Sequence, residues 1–236
     1  MERLEKLIEE SRNIVFFGGA GVSTESGIPD FRSVDGLYRQ KFKYPPETML
    51  SHDFFAAHTA EFFDFYRAKM LCLSARPNAA HLTLARWEKA GLVRAVITQN
   101  IDGLHQMAGS QNVLELHGSV HRNHCLQCGK NYDAEWMLES RGVPQCSCGG
   151  VVKPDVVLYG ESLDNGTLTA SVKAIFEADA LIIAGTSLAV YPAASLIDAY
   201  RGDRLIVINR SPTPADHRAN LLIQGSVGEV LAALHV

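Results

Sequence analysis

A chain of 236 residues that is 47% hydrophobic, 20% charged and 8% aromatic, with a formal net charge of −4, has the makings of a globular protein of one or two domains; disorder and collagen-like repeats are excluded. No apolar run approaches the ~18 residues a membrane span needs, and the start, Met1 to Lys6, lacks the apolar core of a secretory signal, so the expected compartment is cytoplasmic. The acid surplus argues against a nucleic-acid surface over the whole molecule, with a local patch such as Arg39, Lys41 and Lys43 left open.

In chain order, residues 2–12 place Leu4, Leu7 and Ile8 on one face at helical spacing. Ile14 to Phe17 then form a β-branched and aromatic run that ends in Gly18-Gly19-Ala20-Gly21, which predicts a buried strand entering a tight glycine loop. Residues 36–75 are rich in aromatics with short helical patterns. Helices are predicted over His81 to Ala90, Leu168 to Ala178 and Ala193 to Tyr200, and further buried strands over Ala95 to Thr98, Ala180 to Gly185 and Arg204 to Asn209. Strands and helices therefore alternate, as in a doubly wound, Rossmann-like parallel α/β sheet. Two stretches interrupt that rhythm. We expect residues 1–35, 76–120 and 151–236 to form the sheet domain, and the inserts 36–75 (helical) and 121–150 (a zinc ribbon) to form a smaller module beside it, with a cleft between the two.

Cys125 and Cys128 are followed, after 17 residues, by Cys146 and Cys148, with Gly129, Gly149 and Gly150 just past each pair. This spacing suits a tetrahedral, structural zinc ion held by four thiolates on two tight turns. Free structural thiols or a disulfide are the alternatives, and a cytosolic chain disfavours the disulfide. His121 and His124 flank the first pair and could replace a sulfur, but solvent-facing histidines are the plainer expectation. Cys72 stands alone and is expected to be a packed thiol.

Gly19-x-Gly21 after a strand suits a pyrophosphate cradled by backbone amides, and equally a tight turn with no ligand. Thr24 stands where the dinucleotide fingerprint has its third glycine, and Pro29 precedes any second strand, which disfavours a hydride-transfer dehydrogenase. Several separated segments lie together in one order: Gly19 to Ser33 (GAGVSTESGIPDFRS), Thr98 to His105 (TQNIDGLH), Leu116-His117-Gly118, the cysteine pairs, Gly185-Thr186-Ser187 and Val207-Ile208-Asn209. In that order and spacing, over nearly the whole length, the chain resembles the sirtuin family, and within it the compact bacterial and archaeal enzymes.

The resemblance implies an NAD-dependent protein-lysine deacylase whose co-substrate is NAD and whose one zinc ion is structural. It implies that Gly19, Ala20, Gly21 and Thr24 belong to the phosphate cradle and that Asp30, Phe31 and Arg32 lie on a loop over the nicotinamide ribose. Gln99, Asn100, Ile101 and Asp102 would hold that ribose and the nicotinamide carboxamide, with Asn100 counted among the catalytic residues. Gly185, Thr186, Ser187, Asn209 and Val227 would line the adenosine half. His117 would be the general base, a role that an imidazole fills near neutral pH. Val156, Val157, Gly160, Glu161 and Val190 would flank an acetyl-lysine peptide added as a strand. The acyl oxygen would attack the ribose carbon, giving an alkylimidate and, after acyl migration, free lysine, nicotinamide and 2′-O-acetyl-ADP-ribose.

Relatives that remove succinyl or malonyl groups carry a tyrosine and an arginine three residues apart on a helix. Here Phe63 and Tyr66 occupy those positions. A shifted register gives Tyr66 and Lys69, while Arg67 faces elsewhere. Uncharged short acyl groups are therefore expected. The alternatives are desuccinylation or demalonylation and mono-ADP-ribosyl transfer from the same NAD pocket. Residues 121–150 balance Arg122, Lys130 and Arg141 against Asp133, Glu135 and Glu139, so no nucleic-acid partner is expected, and none is expected in the membrane.

Overall fold

The structure is a computed structural model, and it describes residues 1–31 and 36–234. Its elements are, in chain order, α1 (Glu2–Glu9), β1 (Ile14–Gly18), α2 (Pro46–Met49), α3 (His52–Ala57), α4 (Thr59–Lys69), α5 (Ala79–Lys89), β2 (Val93–Thr98), α6 (Leu104–Ala108), β3 (Val113–Glu115), β4 (Gly118–Cys125), β5 (Asn131–Tyr132), α7 (Ala134–Glu139), β6 (Val152–Val156), α8 (Asn165–Glu177), β7 (Ala180–Ala184), β8 (Leu205–Asn209), β9 (Leu221–Gln224) and α9 (Val227–Ala232).

Six strands form one parallel sheet in the order β3-β2-β1-β7-β8-β9. Successive residues of a strand face opposite sides, so a strand apolar at every position must be covered on both. Ile14 and Phe16 of β1 enter a core with Leu4, Ile8, Leu84, Trp87 and Leu231, whereas Val15 and Phe17 enter a second core with Ile175, Leu196 and Ile197. β7 and β8 divide in the same way, with Ile182 and Ile206 in the first core and Ile183 and Val207 in the second. The doubly wound sheet expected from the sequence is therefore present.

Two elements differ from their predicted form. The first helix stops at Glu9, because the Ser11 hydroxyl donates to the Leu7 carbonyl (2.6 Å) and the Arg12 N–H turns to the Asp179 carboxylate (2.8 Å). The segment Ala193–Ala199 is a 3-10 helix and not an α-helix. Its buried residues, Ala193 with Leu196 and Ala194 with Ile197, repeat every three positions, which matches three residues per turn.

The inserted segments, joined by Val120 and by Val152, Val156 and Leu158 from just beyond their expected bounds, build a third core. Strands β5-β4-β6 form an antiparallel sheet, and it packs with Phe54, Phe55, Phe62, Phe63 and Tyr66 of α3 and α4. Gly118 has φ +75°, and a Cβ there would overlap the Asp155 carbonyl oxygen, so β4 and β6 meet closely at the edge nearest His117.

Candidate active site

The sheet runs outward in both directions from its middle. β1, β2 and β3 lie to one side and β7, β8 and β9 to the other, so a crevice opens between the carboxyl ends of β1 and β7, where open α/β sheets bind ligands. Glycine makes the two loops fit there. The Gly21 N–H donates to the Gly185 carbonyl at 2.8 Å, and a Cβ on Gly21 would stand 2.8 Å from the Gly185 Cα. Gly185 itself has φ +58°, and a Cβ on it would come 2.5 Å from the Val22 nitrogen. Any larger residue at 185 would be strained and crowded at once.

A cavity of about 490 Å³ extends from this crevice toward the antiparallel module. Of the residues the sequence singled out for cofactor, substrate or catalysis, every one lines it except Arg32, which lies outside the described residues. They arrive from the ends of β1, β2, β3, β7 and β8, from the start of α9 and from the edge of the small module. Phe31 packs edge-on against Tyr38 with centroids 5.6 Å apart, and it is half-buried.

His117 follows β3 and precedes β4, at the joint between the two sheets. Its Nδ1 lies 2.9 Å from the Gln99 carbonyl oxygen. A carbonyl only accepts, so Nδ1 carries the proton and donates it, and Nε2 keeps its lone pair. Burial lowers the His117 pKa from its ordinary value of 6.5, opposed by the Gln99 bond, so the ring is neutral at pH 7. Nε2 takes no hydrogen bond among the described residues.

A side-chain chain ties the far wall together. The Asn100 amide, buried, donates to the Ser23 hydroxyl (3.0 Å), and that hydroxyl donates to the Asp102 carboxylate (2.6 Å), whose other oxygen accepts the Leu104 N–H (3.0 Å). The Gln99 amide reaches across the crevice to the Thr186 hydroxyl at 3.0 Å. On the adenosine side of the expected site, the Asn209 amide donates to the Ser211 carbonyl (2.7 Å), and the Arg210 guanidinium donates to the Ser226 hydroxyl (2.8 Å).

Some expectations are corrected. His121 does not face solvent. It is half-buried, and its Nε2–H donates to the Asp102 carbonyl at 3.0 Å, bracing the loop below the Asn100–Asp102 motif; Gly103 leaves room for the ring, since a Cβ there would meet it at 2.7 Å. His124 is paired with Asp155. Neither histidine belongs to the sulfur cluster. Cys72 is not simply packed, because its half-buried thiol lines the cavity with Met70 and Leu73. Phe63 and Tyr66 are fully buried and do not line it, whereas Lys69 does, with its ammonium donating to Gln40 (3.0 Å) over the Phe42 ring. Arg67 turns to Ser140 and Gly142, away from the cavity. Ser23 and Tyr159 stood in the loop motif and in the Val156 to Glu161 segment without being singled out, and Met70 and Leu73 were not singled out at all.

Cys125, Cys128, Cys146 and Cys148 bring their four sulfurs within 4.8 Å of one another. None forms a disulfide. A tetrahedral Zn–S length of ~2.3 Å implies sulfurs ~3.8 Å apart, and Cys125 to Cys148 is 3.5 Å and Cys128 to Cys146 is 3.6 Å. Gly129 (φ +71°) and Gly149 (φ +87°) make the two turns, and a Cβ on Gly150 would strike the Cys125 sulfur at 2.7 Å. The donor set and its spacing fit one structural zinc ion.

The description "Sir2 family" matches residues 19–192, and the chain belongs to that family. It is 59% identical over 235 residues to an NAD-dependent protein deacetylase of Clostridium acetobutylicum, covering 98% of this chain and 96% of the relative. Among solved structures it is similar to a Sir2 protein with deacetylated p53 peptide and 3′-O-acetyl-ADP-ribose, with TM-score 0.90, 41% identity, and coverage of 98% of this chain and 95% of the other. A Sir2 complex with p53 peptide and NAD+ superposes with TM-score 0.86 at 41% identity, again over 98% and 95%. The sirtuin resemblance read from the motifs is thereby established.

Proposed function

We propose that this chain is a cytoplasmic NAD-dependent protein-lysine deacetylase, acting on acetylated proteins or peptides and releasing nicotinamide and 2′-O-acetyl-ADP-ribose. The observation that carries the reading is His117, a neutral imidazole with its proton held on Nδ1 and its Nε2 lone pair unengaged on the wall of the crevice. That is the state a general base needs to take a proton from a ribose hydroxyl at neutral pH.

The other groups divide the work by position. Gly19 and Gly21 spend their own N–H groups on the Ala184 and Gly185 carbonyls, so their part in the cradle is to leave space for the diphosphate beside Ala20 and Thr24. Asp30, Phe31 and Arg32 attend the nicotinamide ribose. Gln99, Asn100, Ile101 and Asp102 hold that ribose and the carboxamide, with the Ser23 hydroxyl keeping Asn100 and Asp102 in register. Gly185, Thr186, Ser187, Asn209 and Val227 line the adenosine half. Val156, Val157, Gly160, Glu161 and Val190 flank the peptide. Charge develops on the ribose as nicotinamide leaves, and a largely apolar cleft limits its capture by water. In this assignment residues 1–35, 76–120 and 151–236 carry the NAD-binding sheet, while 36–75 and 121–150 form the small module, to which β6 is added by its pairing with β4, with zinc on Cys125, Cys128, Cys146 and Cys148. When bound, zinc supplies cross-linking of two turns and no chemistry.

The test is incubation with NAD and an acetylated peptide, read by mass spectrometry and nicotinamide release. The expected result is peptide-dependent nicotinamide release with loss of the acetyl group. Label from NAD retained on protein would indicate ADP-ribosyl transfer and replace this reading.

A further inference from the structure

Glu161 lines the cavity, yet its carboxylate is bound inward. One oxygen accepts from the Lys153 ammonium (3.1 Å) and the Leu158 N–H (2.9 Å), and the other accepts from His52 Nδ1–H (3.1 Å). Three of the roughly four acceptor positions of a carboxylate are therefore taken by the protein. Lys153 is itself 12% exposed, and it donates as well to the carbonyls of Pro154 (3.3 Å) and Val156 (3.2 Å). Burial alone would raise the Glu161 pKa, but the Leu158 N–H, His52 and Lys153 outweigh it, and the carboxyl lies below its ordinary value of 4.5.

These contacts grip one short segment from both ends. The Glu161 N–H returns to the Leu158 carbonyl (2.9 Å), closing a turn in which Gly160 has φ +91°. Tyr159 is paired on both sides with the entry to α3, its N–H to Leu50 (3.0 Å) and its carbonyl from the His52 N–H (2.9 Å). The Val157 N–H donates to the His117 carbonyl at 3.0 Å. Among the described residues the Val157 carbonyl and the Gly160 N–H take no such partner, and both belong to cavity-lining residues.

We propose that Glu161 is a positioning residue, whose clasp on Lys153, Leu158 and His52 holds residues 156–161 as a fixed edge for the incoming peptide strand, without its carboxylate touching the peptide. The inference rests on the reading of this segment as the peptide-binding edge. An added strand gains affinity from main-chain hydrogen bonds, so the order of the receiving edge governs how tightly any peptide binds. His52 is the informative partner. Its side chain is 56% exposed and does not line the cavity, so that side chain reaches the peptide edge only through Glu161, while its backbone N–H to Tyr159 survives a change of side chain.

The experiment measures kcat and KM for the full chain with two acetyl-lysine peptides, one with alanine and one with arginine around the modified residue. Wild-type turnover of either peptide tests the deacetylase reading by itself, and the ratios among variants test the clasp. For Glu161→Gln we expect peptide KM to rise on the order of tenfold for both peptides, with kcat within about twofold and NAD affinity unchanged. For His52→Ala, at an exposed position tolerant of substitution, we expect KM to rise roughly threefold, and the double variant to be no worse than Glu161→Gln. A loss confined to the arginine peptide would mean that Glu161 contacts the substrate directly and would overturn the proposal. Unchanged KM in His52→Ala, or additive effects in the double variant, would overturn it equally.

Discussion

The parallel sheet and the antiparallel module bury their apolar groups by different means. The sheet sorts residues of its four central strands, β2, β1, β7 and β8, into two cores, each closed by helices whose own faces complete it. The module has a strand of only two residues, β5, and relies on a cluster of edge-on aromatics, with Phe55, Phe62 and Phe63 at centroid distances of 5.0 to 5.9 Å, and on four sulfurs that converge without a disulfide. One region is stabilised by buried area distributed over long stretches; the other adds to a smaller aromatic core a four-sulfur cluster suited to a metal cross-link. His117 and residues 156–161 lie where the two meet, on the wall of the cavity.

Zinc removal should separate the regions most sharply. Structural zinc sites in small peptides are worth on the order of 10 kcal/mol. Chelation is expected to raise amide exchange in β4, β5 and β6 and to lower the melting temperature, while β1, β7 and β8 stay protected. Uniform loss of protection across both sheets would show that the cores are not independent in this sense.

His117→Ala should do the reverse, leaving both regions folded and removing the reaction. Deacetylation is expected to fall by roughly 10²- to 10⁴-fold, with zinc content, melting and NAD affinity retained. In the wild type, the low His117 pKa places the acid limb of kcat/KM below pH 6.5, since only the neutral ring accepts a proton. Unchanged turnover in the variant would remove His117 from the mechanism.

A smaller effect marks the sheet side under acid. His81 and His105 are buried with ring centroids 4.6 Å apart, and both His105 nitrogens and His81 Nε2 lack hydrogen bonds. Burial holds their pKa values down to about 4 and about 3. Unfolding exposes rings that protonate near 6.5, so between these values the unfolded chain binds more protons and stability falls as pH drops below 6.5. With zinc saturating, His105→Met is expected to flatten this part of the melting-temperature profile. An unchanged slope would place the acid sensitivity in the module.

Much of the site was readable from short-range pattern. The apolar run Ile14 to Phe17 followed by glycines marks a covered strand and a close-packed loop, because both properties belong to consecutive residues. The edge strands were not readable. β3 has three half-buried residues, and β9 alternates half-buried and exposed ones, so neither carries the continuous apolar signal of β1. Cys72 and Leu73 sit in no motif, and they reach the cavity only because α4 and the module fold over it.

The sequence by itself determined the alternating layers and the four-sulfur cluster, since residue type and local spacing carry those choices, whereas His117 is singled out by the resemblance of its Leu-His-Gly segment to the sirtuin family. The tertiary structure decided the tautomer of His117, through a carbonyl 18 positions away. It also turned His121 inward to Asp102 and gave the Glu161 carboxylate to Lys153 and His52. Apart from the bond between Lys153 and Glu161, eight positions apart, these hydrogen bonds join segments remote along the chain, and their partners meet only in the folded molecule.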